Sequence, residues 1–355
     1  MKIRDVPTPA LVFDAEVMTA NVSRMAECAK SAGVGLRPHA KTHKCPFIAQ
    51  KQIEAGAIGI TVAKLGEAEV MALAGIRDIL IANQVVTPAK ITRLAKLQGK
   101  ARVTVAVEDD AVVKLTGEIA HAHGVRMPIV IEVDIGMNRA GVSPENVVAK
   151  ALEWAENPSL LMRGVMGYEG HCVFIEDPEE RRRKTTEAVE RLVRAADGLT
   201  KAGLSAEIVS AGGTGTYDVT SKVKGVTEIQ PGSYVLMDGR YTKLHPEFKQ
   251  AAFVLSTVTS VKGGYVLADA GVKSQTSDFG LPQLAGLDGA TTTKLNEEHA
   301  RIELSDARTK LRAGDQVRFI PSHVCTTVNL FDRAYLMSKD EVVGVVPIAA
   351  RGRSD

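Results

Sequence analysis

Between Val34 and Asp238, short apolar runs rich in β-branched residues recur at Val34 to Arg37, Ile58 to Val62, Ile79 to Ala82, Val103 to Val107, Ile129 to Val133, Gly164 to Gly167, Glu207 to Ser210 and Ser233 to Leu236. Stretches with helical spacing separate most of them, among them Leu65 to Ala74, Pro88 to Lys96, Asp110 to His121, Asn146 to Ala155 and Pro178 to Ala202. Runs that are apolar along their whole length, alternating with amphipathic helices, predict parallel strands covered on both faces. Eight such units in about two hundred residues match a closed (β/α)8 barrel of the TIM type better than a doubly wound open sheet. After about Tyr241 the pattern changes. Ala252 to Val261 and Tyr265 to Ala268 flank the hairpin signal Gly263-Gly264, and Val317 to Ile320 and Val342 to Val346 read as strands. The expected organisation is an α/β barrel over residues 14–240 and a β domain over residues 241–355. Whether the extended segment 7–13 joins that β domain is left open by the sequence.

Charge and cysteine content narrow the function classes. The 44 Lys+Arg against 42 Asp+Glu leave a net charge of +2, which gives no reason to expect nucleic acid or an anionic membrane surface as a partner. Four widely spaced cysteines without a CxxC pair predict reduced thiols rather than a disulfide framework. Met1 leads at once into Lys2, Arg4 and Asp5, and no run of eighteen apolar residues occurs, so the expected compartment is the cytoplasm.

In a (β/α)8 barrel the reactive groups gather in the loops after the strands. The first such loop, Arg37-Pro38-His39-Ala40-Lys41-Thr42-His43-Lys44, carries an amine and two imidazoles, although a basic loop is also what a solvated surface looks like. The fifth holds Asp134 to Arg139, and the sixth holds Tyr168-Glu169-Gly170-His171. After the seventh strand, Gly212-Gly213-Thr214-Gly215-Thr216 offers glycines for close backbone approach and hydroxyls for phosphate oxygens, and Gly232-Ser233 supplies a second small-residue turn. Phosphate sites in such barrels recur at the loops after strands seven and eight. A lysine opposite a phosphate cradle suits a phosphorylated aldehyde held as a Schiff base, which is pyridoxal phosphate. Arg139 then either faces the pyridine nitrogen or pairs with Asp134 or Glu132. Late in the chain, His323-Val324-Cys325 stands at the end of an expected strand, where side chains two apart share a face. Imidazole with thiolate suits zinc, and two protein donors leave coordination positions open for catalysis, although most such triplets are accidental.

Taken together, these residues resemble the D-serine dehydratase and D-threonine aldolase family, fold type III pyridoxal phosphate enzymes built from an alanine-racemase-like barrel and a β domain. The resemblance runs from Thr8-Pro9-Ala10 to the segment His323 to Leu330, and its most specific pieces are Arg37 to Lys44 and the His323/Cys325 pair. It implies Lys41 as the Schiff-base lysine, Arg139 at the pyridine nitrogen, His171 against the cofactor, Gly213, Thr214, Gly232 and Ser233 at the phosphate, and His323 with Cys325 on zinc or another divalent metal. Both the HxC pair and the PHxKTHK loop are similar to the dehydratase branch, whereas Glu169, with Tyr168 beside it, fills a place where dehydratases usually show tyrosine. The expected activity is elimination of water from a D-3-hydroxy amino acid, giving a 2-oxo acid and ammonia, with Lys41 taking the α-proton. Retro-aldol cleavage with His171 as base is the alternative; a non-catalytic pyridoxal phosphate carrier and a racemase are further ones. Fold type III relatives imply a homodimer.

Overall fold

The computed structural model describes residues 1–305 and 310–355. Its contacts divide the chain into two units, one of Met25–Lys41, Ile48–Gly232 and Arg353–Asp355, the other of Met1–Arg24, Thr42–Phe47 and Ser233–Gly352. Among the described residues no helix is long and apolar enough to cross a membrane.

The first unit is built on eight described parallel strands: Gly35–Leu36, Ile60–Val62, Asp78–Gln84, Arg102–Val107, Met127–Glu132, Leu160–Met166, Ile208–Ala211 and Glu228–Ile229. The last returns to the first, pairing Gly35 with Glu228 and Leu36 with Ile229. The first meets the second through a parallel bridge between His39 and Thr61, with Ala40 N donating to Thr61 O (2.7 Å) and Thr61 N to Pro38 O (2.9 Å). The ring is therefore closed. Alternate strand residues enter two apolar clusters: Ile79, Ile81, Val103, Val105, Ile129 and Ile131 pack with helix residues such as Leu94 and Leu192, while Leu80, Ala106, Val130, Met166 and Ile208 form a separate cluster inside the ring. Burial on both faces is why these strands read as continuous apolar runs.

One expected strand is absent. Ser233 to Leu236 does not extend; Ser233–Val235 is a 3-10 turn, and the eighth strand is Glu228–Ile229. Glu228 is 3% exposed, and its carboxylate accepts from Arg37 Nε (2.9 Å) and Ser210 Oγ (2.8 Å). A buried ion pair sits where a continuous apolar run would place an apolar residue, and Pro231-Gly232 follows one residue after the strand ends.

The second unit carries a nine-stranded sheet among the described residues. Ala10–Asp14 lies within it, antiparallel to Ala252–Lys262 and parallel to Arg333–Ser338. The hairpin at Gly263-Gly264 forms, with Gly264 at φ 92°. Val254, Val258, Val266, Ile302, Val317 and Phe319 are its core. Ala290–Leu295, Ala300–Leu304 and Arg333–Ser338 also pair here, mixing polar with apolar residues because one face is wet.

Removing one partner of a buried pair strands the other charge, at about 3–5 kcal/mol. Glu228→Ala is therefore expected to lower the unfolding free energy by about that amount. Urea unfolding followed by circular dichroism measures it.

Candidate active site

The loop after the first strand begins at the bridge between His39 and Thr61, and Lys41 emerges exposed just beyond it. After Met127–Glu132 the chain turns on Asp134, whose Oδ1 accepts from Gly136 N (2.9 Å) and Asn138 N (3.0 Å). Gly136 at φ 122° permits that turn. It delivers Arg139, whose Nη2 lies 3.8 Å from Glu132 Oε1. Burial raises the Glu132 carboxyl above its ordinary range, outweighing the hydrogen bond donated by Gln84 Nε2 (2.5 Å) and the nearby Arg139 charge. Both sequence readings of Arg139 survive this geometry, since a 3.8 Å ion pair at a half-exposed guanidinium restrains it without occupying its donors.

Tyr168 is the common neighbour of these groups. Lys41 Nζ lies 5.8 Å and Arg139 Cζ 5.7 Å from its ring centroid. The ring sits so close to the backbone that a Cβ on Gly213 would come within 3.1 Å of it and one on Gly170 within 2.6 Å. These two glycines are needed for close approach, and the Gly213 loop and Lys41 thereby share one neighbourhood with Arg139. His171 is exposed, its ring 3.3 Å from where a Gly136 Cβ would stand. Thr214 and Gly232 are buried in the loops after the seventh and eighth strands.

Glu169 turns away from Tyr168 and is fully buried. Its carboxylate accepts from Thr216 Oγ1 (2.7 Å), Thr220 Oγ1 (2.6 Å) and Gly212 N (3.2 Å), while Gly213 N donates to Thr216 Oγ1 (3.1 Å). The acid that departs from the dehydratase pattern thus ties down the glycine-rich loop. Sequence reasoning flagged the position but not the role; a carboxylate beside a glycine in a barrel loop was the available signal.

In the second unit, His323 and Cys325 do not lie on a strand as expected. The strand Gln316–Ile320 ends at Pro321, and His323 leads into the short helix Val324–Val328. Proline cannot continue the ladder, so a corner rather than a pleat brings the two side chains together. His323 Nδ1 lies 2.5 Å from Asp278 Oδ2, and the Cys325 thiol is 3.2 Å from Thr42 Oγ1 and 3.7 Å from Ser233 Oγ. Burial alone would pull the His323 imidazolium down, but Cys325 and Asp278 together push it up to about 9. Asp238 is buried behind the corner, its Oδ2 accepting from Val324 N (3.2 Å). Asp269 is taken up by Thr8, Ser256 and Thr257.

The residues fit the implied groups. An exposed amine, a guanidinium and a glycine cradle stand together in the barrel unit, as an aldehyde cofactor with a phosphate requires. Among the described residues no cluster of three or more His, Cys, Asp or Glu is gathered for a metal ion, so the imidazole–thiol pair suits a metal with open positions rather than a closed structural site.

The chain matches the model of the alanine racemase N-terminal domain over residues 13–239 and that of a serine dehydratase domain over residues 251–337. It is 35% identical to 3-hydroxy-D-aspartate aldolase of Paracoccus denitrificans (strain Pd 1222), over 98% of this chain and 93% of that one. It is also 35% identical to D-threonine aldolase of Arthrobacter sp, over 98% and 94%, and 29% identical to D-threo-3-hydroxyaspartate dehydratase of Delftia sp. (strain HT23), over 94% of each. The crystal structure of D-threonine aldolase from Filomicrobium marinum superposes with a TM-score of 0.95 at 35% identity, covering 99% of this chain and 98% of that one. D-threo-3-hydroxyaspartate dehydratase with a cysteine replaced by alanine, a metal-free form, superposes at 0.91 with 27% identity, covering 98% of each chain. A further form of that dehydratase has a histidine two positions earlier replaced by alanine.

Glu169→Ala would leave Gly212 N–H and two threonine hydroxyls without their acceptor, at about 1–3 kcal/mol for each buried orphan. Pyridoxal phosphate is expected to bind about tenfold or more weakly, with Glu169→Gln intermediate. Titration followed by protein fluorescence reads the change.

Proposed function

Because the chain belongs to the fold type III pyridoxal phosphate lyases that include D-threonine aldolase, 3-hydroxy-D-aspartate aldolase and D-serine dehydratase, we propose that it eliminates water from a D-3-hydroxy amino acid with the help of a divalent metal, zinc being the first candidate. The observation that carries this reading is the His323/Cys325 corner. A thiolate and an imidazole hold a metal while leaving it free to act as a Lewis acid. A relative with a histidine and a cysteine at the same spacing, each replaced by alanine in a solved form, the cysteine variant being metal-free, is itself a dehydratase.

When bound, pyridoxal phosphate supplies an electron sink at Cα and the metal draws off a β-hydroxyl that would otherwise leave poorly. In this reading Lys41 anchors the cofactor and takes the α-proton on Nζ. Arg139, held near Glu132, presents a guanidinium that does not surrender its proton, so it keeps a facing ring nitrogen unprotonated. Thr214 with Gly213, Gly232 and Ser233 takes the phosphate. Arg139 thereby weakens the sink, which is why metal assistance to the leaving hydroxide matters.

Retro-aldol cleavage is the second reading, and the 35% identity to two aldolases along 98% of the chain favours it. His171, exposed beside the Asp134–Arg139 loop, is then the base for the β-hydroxyl proton. We further propose a cytoplasmic homodimer, which sedimentation of the purified protein would check.

The deciding experiment incubates the protein with pyridoxal phosphate, zinc and D-threonine, with a chelated control. 2-Oxobutyrate with ammonia, lost on chelation, is expected; glycine with acetaldehyde would overturn dehydration in favour of aldol cleavage. Lys41→Ala should reduce turnover by about 10²-fold or more, as loss of a positioned general base does.

A further inference from the structure

We infer that Asp278 is a positioning residue for the metal site, holding the His323 ring by Nδ1 so that Nε2 is the nitrogen presented to the metal. This rests on the reading that His323 and Cys325 bind a metal, and it adds a residue that the sequence motifs do not point to. Asp278 stands 45 positions before His323 in the chain, yet its Oδ2 is 2.5 Å from His323 Nδ1.

Further contacts around the corner make this bond specific rather than incidental. Thr326 Oγ1 stands 3.1 Å from Asp278 Oδ1 and 3.2 Å from Oδ2, so its hydroxyl donates to the same carboxylate that meets His323 and holds it in place. Thr276 reaches the same corner: its Oγ1 is 2.8 Å from Thr326 Oγ1, and its carbonyl accepts from Ser322 Oγ at 2.9 Å. The segment before Asp278 is thus laced to the residues on both sides of His323. Phe279 then stacks on the His323 ring, centroids 4.1 Å apart and planes inclined by 13°, and Arg240 Cζ lies 4.8 Å from the Phe279 ring centroid.

Stacking sets the plane of the imidazole, and the carboxylate sets its rotation within that plane. With both in place, one ring nitrogen is committed to Asp278, and the opposite nitrogen remains for coordination. A carboxylate on the second nitrogen of a metal-binding histidine selects the tautomer, orients the ring and raises its basicity. Asp278 does this from a loop, without itself joining His323 and Cys325 in a three-donor cluster among the described residues.

The test uses metal-stripped full-length protein titrated with zinc against a chromophoric chelator, and with cobalt(II) followed by absorption. Asp278→Ala is expected to weaken zinc binding about 10- to 100-fold, the range for lost outer partners of a metal ligand. Asp278→Asn, which keeps an uncharged acceptor, should fall between. In the cobalt form the thiolate charge-transfer band from Cys325 should persist in Asp278→Ala while the ligand-field bands shift, a pattern that general loosening of the fold would not produce. Thr326→Val, which removes a donor to Asp278 and leaves the carboxylate, should weaken zinc binding in the same sense by a smaller factor, and it decides the matter if Asp278→Ala does not fold. Wild-type protein that takes up no zinc would overturn the metal reading and this inference with it. Tight wild-type binding with unchanged affinity and spectra in Asp278→Ala and Thr326→Val would overturn the inference alone.

Discussion

Closure of the strand ring is the constraint from which the barrel unit's chemistry follows. The first strand is only Gly35–Leu36, yet it is committed on both sides, to Glu228–Ile229 by strand pairing and to Thr61 by the His39 bridge. Arg37 locks the join at one end, its guanidinium shared between Glu228 (2.9 Å) and Asp78 (2.6 Å). Four residues later the chain leaves the ring as Lys41. An amine that must meet one face of a cofactor gains from a root of this kind, because misplacement of a reacting group by about 1 Å is enough to cost about 10²-fold in rate.

Tyr168 and Glu169 show how a single step along a loop divides two tasks. Tyr168 is partly exposed and offers its ring to Lys41 and Arg139, while Glu169 is buried and faces the opposite way into the loop Gly212 to Thr216. A tyrosine in place of Glu169 could not accept the three hydrogen bonds that Gly212, Thr216 and Thr220 donate, since a phenol has neither the charge nor the paired oxygens. The departure from the dehydratase pattern therefore comes with its own internal use. It changes what anchors the glycine-rich loop and leaves an aromatic ring beside the lysine.

How far the sequence could be read depended on whether a feature is local. Seven strands were legible because both faces are largely buried and apolar residues dominate their centres. The eighth was not, because Glu228 interrupts it and its partner Arg37 lies 191 positions away. The lysine loop, the glycine loop and the HxC pair were legible as short motifs. Their supports were invisible for the same reason as Glu228: Asp278 and Asp238 act on the His323 corner across 45 and 86 positions. The expected strand geometry at His323 failed for a local reason that was in plain sight, Pro321.

These supports share a chemical character. Behind the Lys41 loop stands Glu228, behind Arg139 stands Glu132, behind the glycine loop stands Glu169, and behind the His323–Cys325 corner stands Asp238. Each is a carboxylate exposed by 4% or less. Burying four such groups is unfavourable by itself, and burial does push Glu132 and Asp238 above the ordinary carboxylate range. Apolar side chains would pack there at less expense. They could not, however, hold a loop in one conformation, because dispersion contacts are nearly indifferent to small rotations, whereas a carboxylate accepting two or three N–H or O–H donors is not. Stability is given up at the root of each loop in exchange for a single loop geometry, and the candidate side chains Lys41, Arg139, His323 and Cys325 sit on the loops held in this way.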